Sequence, residues 1–320
     1  MCGFVAVLGP GEPLALPLLE RMRDRLAHRG PDGAGAWQGR HVQGSIALGF
    51  RRLAIIDTRH VADQPMVAHD GRKAIVFNGE IYNFVELRAE LEAAGRSFRT
   101  RSDTEVLLQA YEHWGEAVVE RLNGMFAFVI WDETRGQIFV ARDRFGEKPL
   151  FVCRLPGGRL ALASEIKALL AHPEVDASYD LGMFGSVLGG HLLFGTEETL
   201  FRSVRQFRAG HCMTLMLNGE VLRERRYWTP AYDRSLAGAD PRELSEVLRG
   251  HLERSLTMRM RSDVPVTACL SGGLDSSTLV TLLAGMRGAD EGRLRSAISV
   301  RFPDDPTTVS YTHLRAHETR

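Results

Sequence analysis

The chain has 320 residues, 44% of them hydrophobic, and its 40 basic residues balance 40 acidic ones, so no global field draws it onto nucleic acid or an anionic membrane. The N-terminus lacks the pattern of a secretory leader, and no apolar run approaches the ~18 residues of a membrane span, which points to a soluble, cytoplasmic protein. The four cysteines, Cys2, Cys153, Cys212 and Cys269, have neither metal-ligand spacing nor the density of a disulfide framework.

Val5 to Leu8 reads as a strand that ends in Gly9-Pro10-Gly11. Leu14, Leu18, Met22 and Leu26 recur at helical spacing until His28-Arg29-Gly30-Pro31-Asp32-Gly33 breaks the pattern. Ile46 to Asp57 and Ala74 to Phe77 read as strands. Phe84, Leu87 and Leu91 mark a helix stopped at Gly95, and Ser102 with Glu105 forms a capping box before Leu107, Tyr111 and Trp114. Met125 to Trp131, the turn Asp132 to Gly136, and Ile138 to Ala141 read as a hairpin. The first 205 residues are therefore expected to be α+β and rich in antiparallel pairs. Residues 206–239 are expected to hold trailing strands and a linker, the latter from Trp228 to Asp240.

Asp240-Pro241-Arg242-Glu243 opens a helix, with an acidic cap and proline at the first helical position. A strand (Val264 to Leu270), a glycine turn, a helix (Ser276 to Met286) and a strand (Ser296 to Phe302) make one βαβ unit, the start of a parallel sheet.

Cys2 follows the initiator, and cysteine is small enough for methionine aminopeptidase to remove Met1. The residue would then carry a thiol and a free α-amine on adjacent atoms. An α-amine has an unperturbed pKa near ~8, so a useful fraction is neutral and can serve as general base. Nucleophile and base would come from one residue. Alone, Cys2 reads as an ordinary cysteine near a strand start.

The company it keeps is specific. His28-Arg29-Gly30-Pro31-Asp32-Gly33 is followed by Arg52-Leu53-Ala54-Ile55-Ile56-Asp57, Phe77-Asn78-Gly79-Glu80-Ile81-Tyr82-Asn83 and Ser102-Asp103-Thr104-Glu105. Then come Gly124-Met125-Phe126-Ala127-Phe128, Arg142-Asp143-Arg144-Phe145-Gly146 and Ala163-Ser164-Glu165-Ile166-Lys167. In this order and spacing, over most of residues 2–205, the set resembles the class II glutamine amidotransferase domain of glutamine-hydrolysing asparagine synthetases.

The resemblance implies an N-terminal-nucleophile hydrolase sandwich with Cys2 as nucleophile. It implies that the Asn78 amide and the Gly79 N–H form the oxyanion hole, and that Arg52 holds the α-carboxylate of glutamine. Strand residues Leu53, Ala54, Ile55 and Ile56 would line the pocket, Asp103 would take the α-ammonium, and Glu80 would help hold the substrate. Duller readings stay open: Arg52 as a solvated strand residue, Asn78-Gly79 as a hairpin turn, Ser102 or Asp103 as a helix cap.

Leu270-Ser271-Gly272-Gly273-Leu274-Asp275-Ser276-Ser277 lies between strand and helix, where loop amides offer an anion site. It lacks the lysine of a Walker A motif, and it resembles the pyrophosphate loop of ATP pyrophosphatases. The resemblance sets Leu270 and Val300 against adenosine and leaves Asp275 as a candidate for placing magnesium. Residues 240–306 would be part of an asparagine synthetase domain. The implied reaction uses ATP with Mg2+ as co-substrate and no prosthetic group. It makes β-aspartyl-AMP from aspartate and attacks it with ammonia from the first site. A related amidotransferase with another carboxylate acceptor, a non-catalytic fragment, and a homodimer remain open. The 81 residues from Asp240 fall short of a complete nucleotide-binding domain, and residues 307–320 lose the apolar periodicity, so a truncated synthetase half with a non-native tail is expected.

Overall fold

The computed structural model describes residues 1–190, 195–286 and 294–299. The chain divides into a unit Met1–Pro230 and a unit Ala231–Arg320.

The first unit opens with β1 (Gly3–Gly9), α1 (Leu16–Asp24), β2 (Gly33–His41), β3 (Gly44–Arg52), β4 (Met66–Val67) and β5 (Lys73–Ile81). Three helices follow, α2 (Phe84–Ala93), α3 (Asp103–Trp114) and the short α4 (Val118–Arg121). After β6 (Gly124–Asp132), β7 (Gln137–Arg142), β8 (Phe151–Arg154) and β9 (Leu160–Ala163) come α5 (Ile166–Leu169) and α6 (Leu181–Leu188). The unit closes with β10 (Val204–Gln206), β11 (His211–Met216) and β12 (Val221–Arg226).

These strands form two antiparallel sheets of six, ordered β10-β8-β9-β1-β3-β2 and β12-β11-β7-β6-β5-β4. Alternation explains how they stack. Phe4, Ala6 and Leu8 of β1 pack with Leu48 and Phe50 of β3 against Val76, Val129 and Val140 of the other sheet. Their neighbours Val5 and Val7 face outward and meet Leu19 and Met22 of α1. Phe77, Phe128 and Ile130 of the second sheet likewise meet Leu87 of α2 and Leu107 of α3. Both sheets are buried on two faces, which accounts for strands as uniformly apolar as β1 and β6. The result is the helix–sheet–sheet–helix sandwich of the N-terminal-nucleophile hydrolases.

Several boundaries differ from those read in the sequence. The strand expected from Ile46 to Asp57 ends at Arg52, and residues 53–56 leave the sheet as a loop. β2 carries no sequence signal, because Gly-Ala-Gly-Ala-Trp-Gln-Gly is poor in β-branched residues; it is an edge strand with every second residue exposed. Asn78-Gly79 is no turn, since both lie inside β5 opposite Ala127 and Phe126. Ser102 caps α3 by accepting the Thr104 N–H at 3.1 Å, but Glu105 does not close the expected box. Its carboxylate instead accepts from Arg99 N, Thr100 N and Thr100 Oγ1, upstream of the cap. The first unit also runs past residue 205 to Pro230, because β11 pairs with β7 inside the second sheet.

Of the second unit, α7 (Pro241–Arg259), β13 (Val266–Cys269), α8 (Leu274–Gly285) and β14 (Leu294–Ile298) are described. Asp240 caps α7 through the Arg242 N–H, and Pro241 takes the first helical position. β13 and β14 pair in parallel around α8. The helix starts at Leu274, two residues before its expected Ser276. Val300 and residues 307–320 lie outside the described residues. Among the described residues no helix is long and apolar enough to cross a membrane.

One carboxylate organises the loop after β7. Asp143 is buried, and its two oxygens accept the N–H groups of Phe126, Phe145, Glu147 and Lys148 at 2.9–3.2 Å. Arg142 beside it donates to the carbonyls of Lys148, Gly146 and Phe207. Asp143→Ala would strand four backbone donors and is expected to lower unfolding free energy by about 3 kcal/mol or more in urea titrations. A loss below about 1 kcal/mol would show that the loop holds itself.

Candidate active site

A cleft of about 130 Å³ opens at the ends of β3 and β5, where the two sheets meet. Cys2 enters it one residue ahead of β1, and Arg52 ends β3. Asn78, Gly79 and Glu80 come from β5, Asp103 from the first turn of α3, and Lys148 from the loop built on Asp143.

The register of β5 decides which of its groups face the cleft. In an antiparallel sheet the N–H and C=O of alternate residues point to opposite edges. Phe126, opposite Gly79, donates its N–H to the Asp143 carboxylate and accepts the Asp143 N–H at its carbonyl, so both its backbone groups face away from β5. On the other edge of β5, Phe77 N donates to Gln64 Oε1 at 2.6 Å and Ile81 N donates to Asp103 Oδ2 at 3.0 Å. The Gly79 N–H, midway between them in the same phase, is turned to that edge and into the cleft. A side chain at 79 would not fit, because a Cβ there would stand 2.2 Å from the Met125 carbonyl.

Asn78 is 1% exposed, yet neither Nδ2 nor Oδ1 has a hydrogen-bond partner among the described residues. An amide buried in this way costs about 1–3 kcal/mol, so such groups are rare outside functional sites. Asn78 and Gly79 line the same small space as Cys2.

Arg52 lies under the loop that follows it. Nη1 donates to Asp63 Oδ1 at 2.6 Å and to the Arg59 carbonyl at 2.9 Å, while Nη2 reaches the carbonyls of Ile56 and Asp57. The guanidinium is buried and braces residues 53–63 over the cleft. Leu53, Ile55 and Ile56 line it from this loop rather than from a strand. Ala54 does not line it; its N–H turns away to Asp32 at 2.9 Å.

The charges around the cleft are strongly perturbed. Burial pushes the Cys2 thiol up, opposed by the Leu53 N–H, which donates to Sγ at 3.3 Å, and by the positive charges of the terminal amine and Arg52. Burial also raises the Asp103 carboxyl to about 7, with the nearby Glu80 adding to the effect against hydrogen bonds from Ile81, Thr104 and Ser102. The terminal amine, here on Met1, is lowered by burial and by the positive charges of Arg29 and Lys148. Burial likewise lowers the Lys148 ammonium, against the attraction of Glu80.

Sequence reasoning assigned no role to two cations at the site: Lys148, which lines the cleft, and Arg29, which holds the Cys2 backbone from behind it. Arg29 donates Nε to the Cys2 carbonyl at 2.8 Å and pairs through Nη1 with Glu165 at 2.8 Å. Against the push of burial, Arg29, His28 and Lys167 hold Glu165 down at about 2. The Ala163 to Lys167 run thus anchors the arginine that grips Cys2. Lys148 brings its Nζ within 3.5 Å of Met1 Sδ, inside the cleft. Its only sequence signal is its place five residues after Asp143, whose loop aims it.

In the second unit the loop Leu270 to Gly273 links β13 to α8. Leu270 N donates to the Ile298 carbonyl at 2.8 Å, and the Ser271 and Ser276 hydroxyls meet at 2.9 Å. Gly272 has φ +80°, a conformation that favours glycine. Leu274, Asp275, Ser276 and Ser277 form the first turn of α8 behind Gly273. Among the described residues no group of three or more His, Cys, Asp or Glu is placed to hold a metal ion.

Comparison with known proteins accords with both units. Residues 1–228 match the family described as "Glutamine amidotransferase domain", and residues 247–316 match "Asparagine synthase". Asparagine synthetase [glutamine-hydrolyzing] 3 of Bacillus subtilis (strain 168) is 38% identical over 83% of this chain and 42% of its own length. Asparagine synthetase [glutamine-hydrolyzing] 1 of the same organism is 38% identical over 88% and 44%. The enzyme of that name from Triphysaria versicolor is 36% identical over 90% and 44%. The chain thus spans less than half the length of these relatives. A glutamine phosphoribosylpyrophosphate amidotransferase from B. subtilis, complexed with ADP and GMP, superposes with a TM-score of 0.53 at 19% identity. That likeness covers all of this chain and 71% of the other, and it is one of fold alone. With an N-terminal cysteine site on this sandwich and a family match over residues 1–228, the chain belongs to the glutamine amidotransferase domain family.

Proposed function

We propose that the first unit hydrolyses glutamine at Cys2 and that the ammonia serves glutamine-dependent asparagine synthesis. The observation that carries the glutaminase reading is the unpartnered, buried Asn78 amide beside the Gly79 N–H and the Cys2 thiol. Two donors at one edge, facing a nucleophile, suit an oxyanion that exists only while the carbonyl carbon is tetrahedral.

Removal of Met1 turns the Cys2 nitrogen into a free amine. The amine takes the thiol proton as Sγ attacks the side-chain carbonyl of glutamine, and the developing oxyanion is received by Asn78 Nδ2 and Gly79 N–H. Collapse of the intermediate releases ammonia, protonated by the same amine, and leaves a thioester. Water then attacks the thioester by the same route in reverse, giving glutamate. Asp103 takes the substrate ammonium, Glu80 supports it, and Arg52, already braced by the 53–63 loop, meets the α-carboxylate. Leu53, Ile55 and Ile56 enclose the methylenes.

For the second unit, the match to asparagine synthase and the names of the relatives support use of ATP and aspartate. The Ser271 to Gly273 amides and the serine hydroxyls at the start of α8 fit a pyrophosphate, with Leu270 beside the adenosine. Asp275 is the carboxylate available to magnesium carried in by the nucleotide. Adenylation would convert the aspartate β-carboxylate into an acyl adenylate with release of pyrophosphate, and ammonia would then attack its carbonyl carbon and displace AMP.

Cys2→Ala is expected to abolish glutamine hydrolysis, and a protein that retains Met1 should be equally silent because its base is tied up as an amide. Ammonia release by either, at wild-type rates in a coupled assay, would refute the assignment. Asn78→Ala should lower kcat by ~10²–10³-fold, the usual loss for one oxyanion donor, whereas Arg52→Ala should chiefly raise KM for glutamine. A KM effect alone at Asn78 would reduce it to a binding contact.

The pH dependence follows from Asp103. Its carboxyl sits at about 7 in the free enzyme, so the charged form that binds an ammonium prevails above that pH and is lost below it. The kcat/KM for glutamine should therefore rise with a contribution from Asp103 near 7, and Asp103→Asn should remove that contribution, leaving only the limb of the amine, while raising KM. A wild-type profile flat from pH 6 to 8 would contradict the pairing.

A further inference from the structure

Two cations converge on the space that Met1 occupies. Lys148 Nζ stands 3.5 Å from Met1 Sδ, and Arg29 Nη2 stands 3.9 Å from the same atom. Both side chains are buried. Arg29 is committed elsewhere, to the Cys2 carbonyl and to Glu165. Lys148 reaches the cleft on a loop whose every turn is fixed by Asp143 and Arg142: its own N–H binds Asp143 at 2.9 Å and its own carbonyl binds Arg142 at 2.7 Å. A lysine stem is flexible, and anchoring its backbone at both ends confines where the ammonium can go.

We propose that Lys148 is a positioning residue of the glutaminase site, whose fixed charge keeps the α-amine of the processed Cys2 in its neutral, proton-accepting form. The inference rests on the glutaminase reading and adds a residue to it.

The physical case is one of like charges in a small, water-poor cleft. An ammonium on Cys2 would share its cleft with Lys148, with Arg29 bound to the carbonyl of the same residue, whereas a neutral amine would not be repelled. The direction already holds for the terminal amine on Met1, which burial, Arg29 and Lys148 lower while Cys2 and Asp32 raise it. The same charge helps the thiolate, since Cys2 and Lys148 attract one another. When the amine takes the thiol proton, the new ammonium is again crowded by Lys148, which makes it a ready acid for the departing ammonia. Five other charged groups act on the lysine, the amine and the thiol. Glu80 of β5 and Glu147 of the same loop attract the Lys148 ammonium. Asp32 acts on the amine, Asp103 of α3 on the thiol, and Arg52 at the end of β3 on the thiol with the opposite sign. Asp103 is neutralised by the substrate ammonium in the bound complex, so its titration leaves kcat and remains in kcat/KM.

The test uses the full chain after removal of Met1, verified by intact mass. The kcat for ammonia release at saturating glutamine is measured from pH 5 to 9 for wild type, Lys148→Met, Lys148→Gln and Lys148→Arg. Both neutral variants should move the ascending limb upward by about one pH unit, and Lys148→Arg should leave it near the wild-type position. A limb that stays in place in a folded neutral variant, whatever the rate, overturns the proposal. Because this readout needs turnover, the amine is also titrated directly. Competitive acetylation of the N-terminus by acetic anhydride is followed by mass spectrometry, in Cys2→Ser with and without Lys148→Met. The midpoint should rise by a similar amount when Lys148 is lost. A rise in midpoint without any wild-type glutamine hydrolysis would uphold the effect of Lys148 and remove the glutaminase reading. An unchanged midpoint removes the role of Lys148 alone.

Discussion

A side-chain amide buried without a partner is held against a cost of about 1–3 kcal/mol, and much of this fold can be understood as the means of holding Asn78 in that state. Asn78 lies in the middle of a strand, opposite Ala127, so its backbone is fixed by the sheet and cannot turn the amide toward solvent. The strand is fixed in turn by groups that claim the N–H on either side of Gly79: Gln64 takes that of Phe77 and Asp103 takes that of Ile81. What remains facing the cleft is one main-chain donor and one amide. Gly79 is demanded by the Met125 carbonyl packed against it, so the same residue that exposes the donor also lets β6 approach.

The charges follow from this arrangement. Two antiparallel sheets packed face to face leave little room for water in the cleft, and burial shifts the thiol, the terminal amine, Asp103 and Lys148 there. Asp103 rises to about 7, the Cys2 thiol rises, and the amine and Lys148 fall. Each shift moves a group toward neutrality, and each is partly reversed by a neighbour: Leu53 N–H for the thiol, Glu80 for Lys148. The outer charges are treated differently. Against the push of burial, Glu165 is held down at about 2 by hydrogen bonds from Arg29, His28 and Lys167, which lets it hold Arg29 as a strut on the Cys2 carbonyl. Glu165 is held down by its partners, whereas burial pushes the thiol, the amine and Asp103 toward neutrality.

Much of this was legible in the sequence, because the residues fall in short runs whose order is specific. Cys2, Arg52, Asn78, Gly79, Glu80 and Asp103 do meet in one cleft, although five elements, β1 to β4 with α1, separate Cys2 from the strand of Asn78. Ala54 was misplaced because the apolar run Leu53 to Ile56 reads as the continuation of a strand; only the bonds from Arg52 to the 53–63 backbone reveal a loop. β2 was invisible because glycine and alanine carry no strand preference, and its register comes from β3 beside it. The reach of the first unit to Pro230 was obscured by the charged Val221 to Arg226, an edge strand that pairs only with β11. Lys148 and Arg29 escaped because a basic residue in a sequence looks solvated. Their burial depends on Asp143 and Glu165, partners 5 and 136 residues away.

The central claim is that Cys2, freed of Met1, attacks an amide carbonyl held against Asn78 and Gly79. Rapid quenching of the full chain during turnover of glutamine, followed by peptide mass spectrometry, measures that event directly. A transient γ-glutamyl adduct on the Met1-free N-terminal peptide, decaying as ammonia appears, is the result this account predicts. Turnover with no adduct at Cys2, or with the adduct on Cys153, Cys212 or Cys269, would contradict it.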